Sequence, residues 1–492
     1  MQRPLRPVAL LLTVALAACK EPVPPPTPVP PAPTAAGYGA VPPQTASADV
    51  SGGAAQRFLT ELDVPGQWWT LFHSAELNAL VDEGLQANPD VAAAQAALRS
   101  AREAFDAQRS SAYPTAQGSA SISRQQVPLY YAPPLNTNAN EYVYGVHTAE
   151  LDVAYTPDVF GNLRYQTATA AAQLDQDRYS VEATYLTLTS NIAAAAFTAA
   201  SIRGQIDVTR RIIATQHRLL ELTRATRTYA QSAGLDVLAQ EAALRATEAT
   251  LPALDKQLAQ DRDALARLVG RAPSDDPAAA FDLATLHLPT DLPLSLPSQL
   301  ILQRPDIAAA QAGVIAAGAQ VGVAFTNRLP NFSITAQTAT QALSLGGLFG
   351  AGSLLSTLTA AATTTFYDHG TLKHREAAAL AAYDEAAATY RATVLNGLQN
   401  VADALAALRT DADALRLALR ANETAAHALR ITRDQDRYGE VSRLALLNAE
   451  QTDEQAELNV VQAQANRYAD TAALFEALGG GWWNRNETSA GH

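Results

Sequence analysis

Along most of the chain apolar residues recur every three or four positions, while in four shorter stretches they recur at every second position. From 163 to about 228, and again from 372 to about 438, there is no proline and almost no glycine. Within the second run Leu398, Val401, Leu405, Leu408, Ala412, Leu415, Leu419 and Asn422 step by three and four, which is the rhythm of a heptad seam. Leu188, Ile192, Ala195, Ala199, Ile202, Ile206 and Ile213 keep that rhythm in the first run with smaller side chains. Both runs predict helix. About 65 residues rising 1.5 Å each make a rod of roughly 100 Å, so a coiled coil or helical barrel is expected.

Each rod is followed by a short break, around Ser232-Ala233-Gly234 and around Gly439-Glu440-Val441-Ser442, and then by a second helical pattern at 235–269 or 444–478. Breaks this short imply that the second helix returns antiparallel to the first. Gly270 and Gly479 stand where left-handed caps end helices. Shorter helices are predicted at 90–110 and 306–327, with Pro89 and Pro305 near their first turns. Pro252 falls inside the first return helix and predicts a kink.

Between the short helix and the rod of each half, the texture changes to threonine, serine, tyrosine and glycine. Ala116, Gly118, Ala120 and Ile122 alternate with polar residues, and Val143, Gly145, His147, Ala149, Leu151, Val153 and Tyr155 form a similar face. Phe332, Ile334 and Ala336, then Leu358, Ala360, Ala362, Thr364 and Phe366, repeat the pattern. Period-two alternation predicts four strands per chain. A four-stranded sheet leaves two open edges, which hydrocarbon does not tolerate because unpaired backbone groups there cost several kcal/mol each. If these strands enter a membrane the chain must oligomerise; two copies close a small barrel and three a twelve-stranded one. Tyr130, Tyr131, Tyr142, Tyr144, Tyr155, Phe160, Phe366 and Tyr367 cluster near the strand ends, as an interfacial girdle would.

The two halves share one layout. Asn88-Pro89-Asp90-Val91 returns as Arg304-Pro305-Asp306-Ile307, 216 residues later, and Pro114 returns as Pro330. Beyond the hairpin the offset is 209: Gly161 maps to Gly370, Glu241 to Glu450 and Gly270 to Gly479. Units this long are not solenoid repeats. They predict a duplicated subdomain folded into one pseudo-symmetric body.

The start of the chain reads differently. Arg3 and Arg6 precede an apolar run, and Leu16-Ala17-Ala18 leads to Cys19, the sole cysteine. This is the pattern of a secretory signal ending in a lipobox, which makes Cys19 a lipidation site. With one cysteine no internal disulfide forms, so stability comes from packing or assembly. Pro24-Pro25-Pro26 and Pro30-Pro31 lie in a stretch that predicts an extended tether. Lys20 replaces the aspartate typical of inner-membrane retention, so the outer membrane is the expected address. The organisation expected is a signal at 1–18, a lipidated proline-rich tether at 19–57, a first repeat at 58–270 with a hairpin at about 115–157, a connector at 271–303, a second repeat at 304–481 with a hairpin at about 331–367, and a tail at 482–492. A formal charge of −13, or −15 once Arg3 and Arg6 are removed with the signal, argues against a nucleic-acid partner. No mature stretch approaches about 18 uninterrupted apolar residues, so any crossing is expected to be made by strands.

On Trp68-Trp69-Thr70-Leu71-Phe72, Asn88-Pro89-Asp90, Asp158-Val159-Phe160-Gly161-Asn162-Leu163-Arg164, Leu302-Gln303-Arg304-Pro305-Asp306-Ile307, Gln320-Val321-Gly322-Val323-Ala324 and Ala477-Leu478-Gly479-Gly480-Gly481-Trp482, the chain resembles the outer-membrane efflux proteins of the TolC and OprM type, in particular the NodT-like lipoprotein branch. The resemblance covers nearly everything after the tether. It implies a mainly α fold with a membrane β element: a homotrimer whose four strands per subunit close a twelve-stranded barrel, continued by a periplasmic barrel of long helices. It further implies a passive exit duct for small molecules such as drugs or metabolites, with a periplasmic adaptor, an inner-membrane pump reached through it, outer-membrane lipid as surroundings, a covalent lipid on Cys19 and no other cofactor.

By the same resemblance the two breaks become periplasmic tips that meet the adaptor and constrict the pore, placing Ala233, Gly234, Leu235 and Asp236 on one tip and Ser442, Arg443 and Leu444 on the other. Asp236 matches a family aspartate and is the aperture candidate, although an aspartate at a helix N-terminus is equally a cap. Some relatives carry two carboxylates one turn apart after the second tip. Ala445 and Asn448 hold those positions here, which weakens an acidic gate on that side. Asp434 and Asp436 face either pore or solvent.

Other signals carry little. His369 and His374 are spaced five apart and do not share a helix face, so metal binding is not expected. Gly346-Gly347, Gly350 and Gly352 lack the context of a nucleotide loop and fit an external turn. Alanine-rich rods offer no pocket with converging titratable groups, so no enzyme is expected. A duct for type I protein secretion is the alternative of the same architecture, and a coiled-coil scaffold is the alternative without a channel.

Overall fold

The computed structural model describes residues 31–32, 37–38, 43–60, 62–128, 141–228, 234–275 and 283–485. The signal segment, Cys19, Tyr130, Tyr131 and Ala233 lie outside the described residues. The helices are α1 (Ala75–Ala87), α2 (Pro89–Ser110), α3 (Asn162–Thr228), α4 (Gly234–Glu248), α5 (Leu251–Leu268), α6 (Pro297–Gln303), α7 (Pro305–Thr326), α8 (Thr371–Arg437) and α9 (Arg443–Ala477). The strands are β1 (Arg57–Leu59), β2 (Thr115–Pro128), β3 (Glu141–Tyr155), β4 (Asp291–Pro293), β5 (Asn331–Ala342) and β6 (Leu354–Thr363). The chain forms two compact units, one built on 99–176 and 311–389, the other on 31–98, 177–310 and 390–492.

The first unit contains the sheet. Its four antiparallel strands run in the order β2-β3-β5-β6. Where the sheet hands over to the rods, Asp158 accepts from the backbone N–H groups of Leu163 and Arg164, each at 3.0 Å. Asp368 does the same for α8 through Leu372 at 2.7 Å and Gly370 at 2.9 Å. These N–H groups, Leu372's foremost, hold the Asp368 carboxyl below its usual range. Gly161 and Gly370 both adopt φ +85° beside these caps, a conformation that a residue with a Cβ rarely takes.

The second unit is a helical core. Trp68 stacks on Phe475 at 5.5 Å between ring centroids, and Phe72 lies 5.1 Å from Phe197. Ile192, Leu265, Val401, Leu408 and Tyr468 are buried around them. Both seams face inward: Val401, Leu405, Leu408, Ala412 and Leu415 of α8, and Leu188, Ile192, Ala199, Ile202 and Ile206 of α3, are all buried.

Three expectations need correction. The first return helix is not one kinked helix but two, α4 and α5, with Thr250 as cap and Pro252 in the first turn of α5. Proline lacks an N–H and its ring opposes the carbonyl one turn back, so the helix restarts where the missing donor is not needed. Residues 43–57, assigned to the tether, are packed: Thr45 and Gln56 are buried, Gln56 Nε2 donates to Thr471 Oγ1 at 3.1 Å, and β1 pairs in parallel with β4, with Arg57 and Asp291 ion-paired at 2.7 Å. Trp482, Trp483, Asn484 and Arg485, assigned to the tail, are fastened too. Trp482 Nε1 donates to the Gln303 carbonyl at 2.7 Å, Asn484 Nδ2 donates to Asp63, and Arg485 pairs with Glu182 and lies over the Tyr185 ring. By length and composition α7 and part of α3 could cross a membrane, but 56% and 61% of those windows are buried inside the protein, as in core helices, so the expectation that strands make any crossing is not overturned.

Candidate functional site

The strand register decides what the sheet can do. Ala116, Val153, Ala336 and Leu358 form one cross-strand row, and Gln117, Asp152, Gln337 and Thr357 form the next. Directly paired residues share a face and successive residues alternate. The apolar positions expected on all four strands therefore fall on one face, where Ile122, Leu151, Leu354 and Leu358 are exposed. The opposite face carries Gln117, Asp152, Glu150 and Gln337, with Gln337 Nε2 donating to Glu150. Among the described residues β2 and β6 each pair on one side only. Tyr155 is on the apolar face, opposite Ile334, and Phe366 and Tyr367 are exposed. Tyr144 departs from the expected girdle: it pairs with Gln125 on the polar face and donates to its Oε1 at 2.8 Å.

In the second unit the helix turns are built by local polar chemistry. At the second turn Glu440 N donates to the Gln435 carbonyl at 2.9 Å and Gly439 N to Asp436 at 3.0 Å, with Gly439 at φ +73°, which is a Schellman ending. Ser442 caps α9 by accepting from Ala445 N at 3.2 Å. Arg443 pairs with Asp436 at 2.9 Å and Arg437 with Asp434 at 3.4 Å, so both aspartates are tied within the turn. Leu444 remains exposed, as do Tyr438, Leu235 and Leu238. Gly234 opens α4 and Asp236 lies in its first turn.

Next to these turns is a ladder that the sequence reading missed. Arg211 pairs with Glu457, Thr215 Oγ1 donates to Glu454 Oε1 at 3.0 Å, and Arg218 pairs with Glu450 at 2.8 Å. The rungs fall at i, i+4 and i+7 on α3 and run in reverse on α9, which is antiparallel packing read in charge. Burial pushes the Glu454 carboxyl up despite its Thr215 hydrogen bond, and burial raises Asp453 as well. A second pairing obeys the repeat: Arg224 to Glu241 at 3.2 Å and Arg433 to Glu450 at 3.6 Å are the same contact 209 residues apart. The Glu241 and Glu450 correspondence was the signal that would have found it.

His369 rests against the Tyr367 ring with centroids 4.6 Å apart. Among the described residues no three His, Cys, Asp or Glu side chains gather as metal ligands.

A sheet apolar on one face, polar on the other and open at both edges, carried by a chain of long paired rods, defines an outer-membrane duct of the strand-and-rod class. Residues 80–271 and 296–480 each match the family model described as outer membrane efflux protein, and the chain belongs to that family. It is 27% identical over 484 residues to the pyoverdine export outer membrane protein OpmQ of Pseudomonas putida, covering 96% of this chain and 97% of that one. Outer membrane protein OprJ of Pseudomonas aeruginosa is 28% identical over 440 residues, 88% of this chain and 89% of the relative. Among solved structures, the open state of the MtrE outer membrane channel of Neisseria gonorrhoeae superposes with a TM-score of 0.77 at 25% identity, covering 93% of this chain and 98% of that one. The CmeC outer membrane channel of Campylobacter jejuni gives 0.80 at 20% identity, over 94% and 96% of the two chains. The protein is an outer-membrane exit duct of a tripartite efflux pump, and its fold is mainly α with a membrane β element.

Proposed function

We propose that three copies of this chain close their sheets edge to edge into a twelve-stranded barrel and that small molecules leave the cell through its polar interior, without chemistry on the way. The observation that carries this reading is the sheet with one exposed apolar face and two unpaired edges. Lipid accepts the apolar face, and only closure satisfies the edges. Relatives named for exporting pyoverdine, antibiotics and toluene favour small organic cargo. The long helices of the three copies assemble into a periplasmic α-helical barrel. Its turns, with Gly234, Leu235, Ser442, Arg443 and Leu444, meet a periplasmic adaptor that leads to the inner-membrane pump. Exposed Leu235, Leu238, Tyr438 and Leu444 supply apolar contacts there. Asp236 lines the aperture, and a lipid on Cys19 adds an anchor in the outer membrane.

The test is native mass of the detergent-purified protein together with single-channel conductance in planar bilayers. A trimer with low, flickering conductance that rises in Asp236→Ala supports the duct and its aperture; a monomer without conductance overturns both. Lipidation is read separately, because Cys19→Ala should shift migration and membrane fractionation, and an unchanged variant refutes the anchor.

A further inference from the structure

The two hairpins of the sheet obey the repeat residue by residue. Thr115 of β2 lies opposite Ala154 of β3. Adding 216 to the first number and 209 to the second gives Asn331 and Thr363, which lie opposite each other in β5 and β6. Pairing runs unbroken along both hairpins, so the two offsets hold throughout. The hairpins also meet each other, with Asp152 of β3 opposite Gln337 of β5 and Leu151 opposite Thr338. The repeat counterpart of this junction joins β6 to β2, and those are the two strands that pair on one side only among the described residues.

Backbone direction limits how the two edges can meet. Gln341 N donates to the Ser353 carbonyl at 2.9 Å, so the odd residues of β5 and β6 turn their N–H and C=O groups toward each other. Neighbours along a strand turn theirs to opposite sides. The even residues of β6 therefore present these groups at its open edge, and the even residues of β5 present theirs to β3. Carried across β3 by the pairs His147–Ala342 and Ser121–Thr148, the same alternation leaves the even residues of β2 at the other open edge. Even residues also make the apolar face on both strands. Hydrogen bonding and side-chain face thus make one demand, even opposite even, and a slip by one residue violates both. Among the registers that remain, two residues apart, the repeat selects one.

We propose that β6 of one copy pairs antiparallel with β2 of the next in the register of the β3–β5 junction, with Ala361 opposite Ser121 of the next copy and Ala360 opposite its Ile122. These are the pairs Asp152–Gln337 and Leu151–Thr338 moved by +209 and −216. Every residue of β6, 354–363, then has a partner in β2, at 119–128. Ala360 and Ile122 continue the lipid face, and Ala361 and Ser121 continue the polar one. The seam between copies becomes the same structure as the seam within a copy. This register rests on the trimeric closure proposed above and adds which residues meet.

Odd residues turn their backbone groups away from this seam, so Ala361 and Ser121 form a non-hydrogen-bonded pair with Cα atoms about 4.5 Å apart, within reach of a disulfide. Residues displaced by two lie about 7–8 Å apart, which is too far. Inside one copy Ala361 and Ser121 are three strand spacings apart, about 14 Å, so only a bond between copies can form. The test is oxidative cross-linking of the full-length protein in isolated outer membranes, with Cys19 kept, read on heated non-reducing gels beside the native mass in detergent. Ser121→Cys with Ala361→Cys should run as a covalent trimer that a reductant returns to monomer. Ser119→Cys or Ser123→Cys with Ala361→Cys should stay monomeric, as should each single variant, which controls for bonding through Cys19. Native trimers in which a displaced pair cross-links instead, or in which none of the three pairs does, overturn the register and leave the trimer standing. A native monomer without cross-links overturns the trimeric closure and the register with it.

Discussion

The side-chain amide of Asn88 donates to the Leu268 carbonyl at 2.8 Å, and 216 residues on Arg304 donates to the Ala477 carbonyl at 2.9 Å. Leu268 and Ala477 are the last residues of α5 and α9, where helix carbonyls lack intrahelical partners. Different side chains thus perform one task at equivalent places in the two halves. Asn88 also caps α2, its Oδ1 accepting from Asp90 N at 2.7 Å and Val91 N at 3.3 Å.

Asn88→Ala removes the cap and strands a buried carbonyl together, at a cost of about 1–3 kcal/mol. Asn88→Ser should recover part of that loss by restoring the cap alone. Thermal unfolding of the detergent-solubilised protein ranks the three, and equal midpoints for wild type and Asn88→Ala would show that the contact contributes nothing.

Gly270 and Gly479 have φ of +78° and +95°, and a Cβ on either would stand 2.5 Å from the Ala87 carbonyl oxygen or 2.6 Å from that of Gln303. Gly439 has φ +73° but nothing within 4 Å of its Cβ position. Gly439→Ala should therefore cost only the left-handed strain of about 1–2 kcal/mol. Gly270→Ala and Gly479→Ala add a backbone clash and should lower the yield of folded protein well below that of Gly439→Ala. Expression and melting of the three variants side by side separate strain from clash.

Much of this architecture was legible because its signals are local and periodic. The rods, both hairpins and the glycine caps follow from spacing within a few residues, and the register places the alternating positions of all four strands on one face as expected. The packing of residues 43–57 and of the segment Trp482 to Arg485 was not legible. Gln56 finds Thr471 and Trp483 finds Asp63 across more than 400 residues, and neither segment is long enough to show a period. The charge ladder escaped for a related reason: Arg211, Thr215 and Arg218 have helical spacing, but nothing in their own helix names Glu457, Glu454 and Glu450 as partners.

Within that ladder Glu450 and Glu454 should respond in opposite ways. Glu450 meets both Arg218 and Arg433 with its side chain only 15% exposed, while the two arginines are about half exposed, so Glu450→Gln weakens two solvent-screened pairs. A loss of about 0.5–1 kcal/mol is expected. Glu454 is held above its usual carboxyl range by burial, so its ionised form weakens the folded state as pH rises through the shifted value. Glu454→Gln should leave stability unchanged at low pH and raise it at pH 8, provided the amide keeps its contact with Thr215. Melting curves across that range check the sign.

The membrane face of the sheet can be tested one residue apart. Leu358 belongs to the row Ala116, Val153, Ala336 on the exposed apolar face, and its neighbour Thr357 lies opposite Gln337 on the polar one. An arginine on the lipid side of a barrel costs about 2–4 kcal/mol near the bilayer midplane, whereas a lumen position accepts it. Leu358→Arg should reduce the assembled oligomer recovered from the outer membrane, and Thr357→Arg should assemble normally and alter conductance. The reverse result would turn the sheet inside out, with the row from Ala116 to Leu358 lining the channel. In that case the open edges would still require closure by further copies, because the backbone argument does not depend on which face meets lipid.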